Sequence, residues 1–462
     1  MTEQRGADRV EEAATGPAER TGPAERAGEA PRDPLLALDP WLLFLLGMLV
    51  ALQVTGDPAF STLGRFSRWD GEVARTVLAV GAVGTLLLFL TAALALPGGT
   101  ERRSYRAWKR ATLAVLGVLI VALPIAGRAR QRFASGQPLH FAHDGGVIQT
   151  EESARLLLHG IDPYGADYSK TPLAGVAIPG ILRHNPYLPA SFVLPAPLIA
   201  LADAVHWPFD QRLVYLLLYA AGVWLAPLAF RHRGAGELAQ TAFALNPLVV
   251  PYVVVGRNDI YVISFLLFAL VALARRRALA FFSCLALACA LKQFAWFVAP
   301  FLLVCAWRTW PRPTLRRGLA VGAAIFALLV LPFFAWGPAA FVDDVYRFNA
   351  GLSPDSYPLG GTPGFGFAML AAALRWAPDR AAYFSLTPYL LLTALPLGVL
   401  LMARLLRRPG VAQAMLGAFL VSFWIFFFSR VFNNNYFGVL AFLLQMGALA
   451  SVDAAAEITS RP

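Results

Sequence analysis

Lysine is almost missing from this chain: Lys109, Lys170 and Lys292 are the only ones, and its other basic residues are arginines. Charge of either sign is scarce, at 15% of 462 residues against 58% hydrophobic, with a mean hydropathy of +0.58. That composition excludes a soluble globular domain of this size. Cysteine is also rare. Cys284, Cys289 and Cys305 all lie in apolar runs without metal-ligand or disulfide spacing, so they read as small packing residues and leave the redox compartment unreadable. No basic start followed by a short apolar core precedes the first long apolar run, which argues against a cleavable signal. The hexapeptide Thr15 to Arg20 recurs at Thr21 to Arg26, but no longer repeat is evident, so an inverted-repeat transporter gains no support.

What the chain has in abundance is apolar runs near the roughly 17 to 25 residues that a helix needs to cross a hydrocarbon core. Twelve are expected to cross: Leu35 to Thr55, Thr76 to Leu96, Ala111 to Gly127, Leu213 to Phe230, Leu238 to Val255, Ile260 to Ala274, Ala278 to Leu291, Phe294 to Trp307, Leu319 to Ala335, Tyr383 to Ala403, Val411 to Ser429 and Tyr436 to Ser451. The fold class is therefore all-α and polytopic, with the lipid bilayer as a partner. Residues 1–34, rich in Ala, Gly, Pro, Glu and Arg, cannot bury enough apolar area to fold and read as a disordered tail. An N-terminal pair of spans occupies 35–110, a membrane core 111–451, and a short tail 452–462.

The formal charge of +11 invites a nucleic-acid reading. Its arginines, however, cluster between apolar runs, at Arg102 to Arg110, Arg231 and Arg233, Arg275 to Arg277, Arg308 to Arg317 and Arg404 to Arg408. That arrangement orients a membrane protein with these loops in the cytoplasm, and no nucleic-acid partner is expected. The threading works if Ser191 to Val205, interrupted by Pro195 and Pro197, and Phe365 to Trp376 lie along the membrane instead of crossing it. Both termini are then cytoplasmic, and loops 128–211 and 337–380 face the opposite side together with Arg257-Asn258-Asp259, Lys292-Gln293 and Arg430 to Asn435.

Nearly every unusual polar residue thus falls on one face. Asp144, soon after the third span, is either a general base or a turn residue in Asp-Gly-Gly. His143 beside it is a partner, a sugar contact or an ordinary loop residue. Gly146 to His159 predicts an interfacial amphipathic helix, with Glu151, Glu152 and Arg155 toward water and Gly160 as its stop. Asp162-Pro163-Tyr164 and His184-Asn185-Pro186-Tyr187 follow. Lys292 lies between two apolar runs, away from the cytoplasmic clusters, and reads as a point charge for phosphate or as a snorkelling helix end. Asn258 and Asp259 are helix caps or ligand contacts; Arg257 opposes the helix dipole unless it has an anionic partner. Arg430 and Asn433-Asn434-Asn435 form a polar turn or a sugar-binding edge. Asp343 and Asp344 are adjacent, point in different directions on a helix and have no evident third partner, so no metal is expected.

An Asp-containing motif after an early span, an amphipathic helix ending in Gly160-x-x-Pro163-Tyr164, and a Pro-rich His/Tyr element before the next crossing together resemble the GT-C superfamily of integral-membrane glycosyltransferases. The likeness is to the bacterial glycosyltransferase family 87 type, which uses polyprenyl-phosphate sugars, mannose most often, and it covers roughly Ala111 to Ser451. It implies an inverting transfer to a glycan or glycolipid of the cell envelope at the outer face, without a cofactor, Asp144 serving as base. Lys292, Arg257 and Arg430 would hold the donor phosphate. His143, Tyr164, His184, Asn185, Tyr187, Asn258, Asp259, Gln293 and Asn435 would contact sugar or acceptor. The 337–380 loop would close over the donor, its Gly360, Gly361 and Gly364 giving the backbone freedom. The rival reading is a transporter or lipid flippase, favoured by Asn246-Pro247 and Pro251 interrupting the fifth span.

Overall fold

The computed structural model describes residues 33–56, 71–95, 100, 103–135, 146–175, 179–361 and 364–459. Residues 1–32 of the expected disordered tail and the pair His143 and Asp144 lie outside the described residues, while Pro34, placed in that tail, begins the first helix. Within them the chain is all-α, with no strand and a single isolated β-bridge between Gly364 and Asn433.

Seven described helices are long and apolar enough to cross a membrane: α1 (Pro34–Gly56), α2 (Gly71–Ala95), α3 (Ser104–Ala134), α6 (Arg212–Leu225, extended by a short turn to Ala229), α12 (Arg312–Trp336), α14 (Thr387–Arg407) and α16 (Tyr436–Thr459). Shorter apolar helices pack among them, namely α9 (Asp259–Ala274), α10 (Ala278–Leu291), α11 (Phe294–Thr309) and α15 (Val411–Phe427). The expected fifth span is split. Its sequence forms α7 (Arg233–Ala244) and α8 (Val250–Val255), broken at Asn246-Pro247, because proline has no N–H to continue the ladder. Asn246 closes the break by accepting from Leu248 N at 2.9 Å and donating to Gln445 at 3.0 Å.

The two segments expected to lie along the membrane form α5 (Ala190–Ala204), interrupted near Pro195, and α13 (Gly366–Ala373). At 1.5 Å per residue neither reaches across a hydrocarbon core. The amphipathic helix is α4 (Gly146–Leu158), and Gly160 stops it in the left-handed conformation at φ +71°.

Two helix ends and one exposure differ from expectation. Helix α3 runs on to Ala134, so the first large loop opens after Arg128. Helix α16 continues to Thr459, so 452–459 of the expected tail are helical. Glu151, expected in water, is fully buried. Arg132 binds it with both Nη atoms, at 3.0 and 2.5 Å, and reaches Asp210 at 3.2 Å; Arg212 meets Asp210 at 2.8 Å. Two arginines and two carboxylates balance there, the condition for burying charge, and they tie the end of α3 and the start of α6 to α4.

One apolar cluster runs from Leu43 through Phe89, Ile263 and Leu302 to Met446, so the N-terminal pair shares a core with the rest. Close approach depends on small residues: Gly318 and Gly322 of α12 face Phe282 of α10, where a Cβ at 318 would strike the ring.

Candidate functional site

Where helices turn at one end of the bundle, the junctions enclose a cavity of about 410 Å³, within the range of small-molecule sites. Its polar wall is built from three corners. Gly256, left-handed at φ +91°, ends α8, and its N–H and that of Arg257 close onto Val253 O and Tyr252 O. This turn delivers Arg257 and Asn258 to the cavity. Lys292 occupies the extended residue between α10 and α11, with Gln293 beside it. Arg430, Asn433, Asn435 and Tyr436 come from the α15–α16 corner. Gly146, two residues after Asp144, and Gln149 add the first turn of α4, and Tyr187 comes from the loop before α5. Apolar side chains complete the lining, among them Phe297, Leu386, Leu390, Ile425, Phe426 and Phe428.

Three cations line this space in different electrostatic states. Lys292 Nζ lies 2.6 Å from Asp259 Oδ1 and 3.1 Å from Asn258 Oδ1, over the ring of Phe294 at 4.4 Å. Asn435 donates to the other oxygen of Asp259. Asn258 makes no side-chain cap bond; it and Asp259 hold Lys292 instead. Arg430 is consumed by carbonyls: Nε donates to Tyr357 O at 2.6 Å, Nη1 to Ala382 O at 2.9 Å, and Nη2 to Arg380 O and Ala381 O at 3.1 and 3.0 Å. Among the described residues nothing hydrogen-bonds the Arg257 guanidinium, whose buried Nε has no partner.

Of the expected site residues, the fold therefore brings Lys292, Arg257, Arg430, Tyr187, Asn258, Gln293 and Asn435 to one cavity, with Asp259 directly behind Lys292. It does not bring Tyr164, His184 or Asn185 there. Tyr164 donates to Tyr187 O at 2.8 Å and packs its ring on Phe192, Phe333 and Phe341. Asn185 donates to Ser153 Oγ at 3.0 Å. His184 lies between Asp344, 2.7 Å from Nδ1, and Asp355, 2.9 Å from Nε2.

The expectation that Asp343 and Asp344 lack a third partner is corrected, since His184 Nδ1 also lies 3.6 Å from Asp343 Oδ2. The trio is wired by hydrogen bonds: Asp344 Oδ2 accepts from Gly165 N and Asn185 N, both at 2.9 Å, and Asp343 Oδ1 from Ser353 Oγ at 2.7 Å. An ion there would have to displace the His184–Asp344 bond.

The glycines of the 337–380 loop serve turns. Gly360 and Gly361 are left-handed at φ +87° and +75°, and Gly360 N donates to Arg430 O while Phe365 N donates to Phe432 O.

Gln149 was missed, although three residues from Gly146 is one helical turn and so the same face. Tyr436 was missed as well; its ring lies 5.4 Å from Lys292 Nζ.

Residues 152–309 match the model of the MptA/B family, described as alpha-(1->6)-mannopyranosyltransferase, N-terminal domain. No curated protein and no solved structure matches. Over about a third of its length the chain is thus similar to these mannopyranosyltransferases, and the matched part carries Tyr187, Arg257, Asn258, Lys292 and Gln293 of the polar wall.

Proposed function

We propose that this protein is a membrane glycosyltransferase that moves mannose from a polyprenyl-phosphate donor to a glycan or glycolipid hydroxyl at the extracytoplasmic face, both termini being cytoplasmic. The family match supports a glycosyltransferase acting on mannose. The observation that carries the donor class is the mixed lining of one cavity, which joins cations, including an arginine whose Nε has no hydrogen-bond partner among the described residues, to aromatic and aliphatic side chains. A lipid-linked sugar phosphate likewise joins an anionic head to an apolar tail. An arginine without an acidic partner can meet a phosphate anion by fork-like hydrogen bonds, whereas Lys292 keeps part of its charge occupied by Asp259.

In this reading Asp144 takes the proton of the acceptor hydroxyl, that oxygen bonds to the anomeric carbon, and the bond from that carbon to the phosphate oxygen breaks with inversion. Arg257 and Lys292 stabilise the charge that develops on the departing phosphate. Arg430 builds the loop behind them. The scheme calls for no cofactor. The transporter reading has less behind it: the broken helix α7–α8 closes its break with an amide pair, whereas coupled transporters place an ionisable group at such a site.

The test is transfer of labelled sugar from a panel of polyprenyl-phosphate sugars in membranes carrying the wild type or Asp144→Asn. General-base assistance is worth about 100- to 10,000-fold, and a loss in that range with one donor is expected. Absence of transfer from every donor, with the variant behaving as wild type, would sink the reading and return the broken helix to consideration.

A further inference from the structure

His184 lines no part of the cavity, yet it joins two segments that do. Gln149 donates to its carbonyl at 2.7 Å, and three residues on is Tyr187. On the other side Asp344 precedes Val345 and Tyr346, and Gln293 donates to Val345 O at 3.3 Å. Phe348 stacks on the imidazole with centroids 4.6 Å apart, and Gly180 sits so close to the Asp355 carbonyl that no side chain would fit between them.

Both ring nitrogens face carboxylates. A neutral imidazole has one donor and one acceptor, so it can serve only one of them and must turn a lone pair toward the other. The groups around it make that worse. From the turn Asp343–Arg347, Asp343 and Asp344 face Nδ1, and Arg347 offsets only Asp343, at 3.5 Å. From the following turn Asp355 faces Nε2. The segment before Tyr168 adds the Asp162 carboxylate and the neutral phenols of Tyr164 and Tyr168, all within the field of Asp344. Helix α4 presents only neutral Gln149 and Ser153. Three near carboxylates against one arginine leave the balance to the ring.

We propose that His184 is a protonated clasp, a positioning residue whose imidazolium holds segment 343–357 against segment 180–187, and that loss of this proton releases that wall of the cavity. Only the consequence for transfer rests on the function proposed above; the clasp itself does not.

Burial by itself would push the ring down. The hydrogen bonds to Asp344 and then Asp355, with the charges of the same carboxylates, outweigh it and lift His184 from 6.5 to about 9. Because the folded value lies above the unfolded one, the contribution is complete below about 6.5 and is lost as pH rises through about 9.

The experiment is amide hydrogen exchange over 343–357 in the full chain in lipid nanodiscs, from neutral pH to above the His184 value, corrected for intrinsic base-catalysed exchange, with transfer assayed in parallel. Wild type should lose protection in one step near the His184 value. His184→Gln should be unprotected at neutral pH and show no step. Asp355→Asn, at a side chain about a third exposed, should keep protection at neutral pH with the step moved lower, and it decides the matter if His184→Gln does not fold. Protection that is flat with pH in wild type, or an unmoved step in Asp355→Asn, would overturn the clasp. So would loss of protection on chelation at neutral pH, which would give the bridging role to a bound cation. A step without transfer from any donor would leave the clasp standing and remove the transferase.

Discussion

Two places in this bundle bury a lysine among aromatic rings and carboxylates, and they are finished differently. Near the start of α3, Lys109 is wholly buried, with Nζ 2.6 Å from Asp39 Oδ2 and 3.1 Å from Glu237 Oε2; Tyr105 and Thr241 supply further bonds to Asp39, and Arg106 meets Glu237 at 2.8 Å. Every charge is matched, and the result welds α1 and α3 to α7. At the cavity, Lys292 has one carboxylate, Asp259, and Arg257 next to it has none among the described residues. Desolvating a cation without a partner is costly, and this is why the proposed function gives Arg257 an anion to meet. The first cluster buries matched charge between helices, and the second leaves a cation unmatched among the described residues.

Substitutions can break that comparison. The largest loss of stability should follow Lys109→Met, which leaves Asp39 buried with hydroxyl partners alone; breaking a buried pair typically costs about 3 to 5 kcal/mol. A thermal unfolding midpoint unchanged from wild type would remove the structural role. Arg257→Ala should do the reverse. It breaks no side-chain hydrogen bond among the described residues, so the midpoint should hold while transfer falls about 100- to 1,000-fold. A clear drop in the midpoint with transfer preserved would exchange the roles of the two clusters. Arg430→Lys should fall between them. An ammonium cannot reach four carbonyls in the plane of a guanidinium, and roughly 2 kcal/mol of loop anchoring should go, seen as faster exchange over 357–361 and a smaller loss of transfer than for Arg257→Ala.

Much of this organisation was legible in the sequence because membranes make sequences simple. Apolar runs and arginine clusters set most spans, and the same parity put Arg257, Lys292 and Arg430 on one face. Lys292 stood out as an isolated lysine in a chain of arginines. The roles were harder to read. Arg430 binds backbone carbonyls of residues 357 and 380–382, which have no signature in side chains. Glu151 looked solvent-facing on helical periodicity, but its partners Arg132 and Asp210 lie on other elements and only the tertiary fold gathers them. His184 was grouped with sugar contacts through the family resemblance of the His/Tyr element in which it sits. Its carboxylates come from a loop more than 150 residues later, and adjacent Asp343 and Asp344 pointed to nothing until that loop was placed. Asp259 looked like a cap because of its position at a helix start, and its charge partner comes from the next helical hairpin.

The mixed lining of the cavity, polar and apolar side chains together, bears on how the protein can be handled. Alkyl glycoside detergents carry a sugar head on a hydrocarbon tail, the same pair of chemistries. If the proposed function holds, such a detergent competes for the site it is used to isolate, and activity recovered after exchange into lipid reflects the departure of an inhibitor as well as the return of a bilayer.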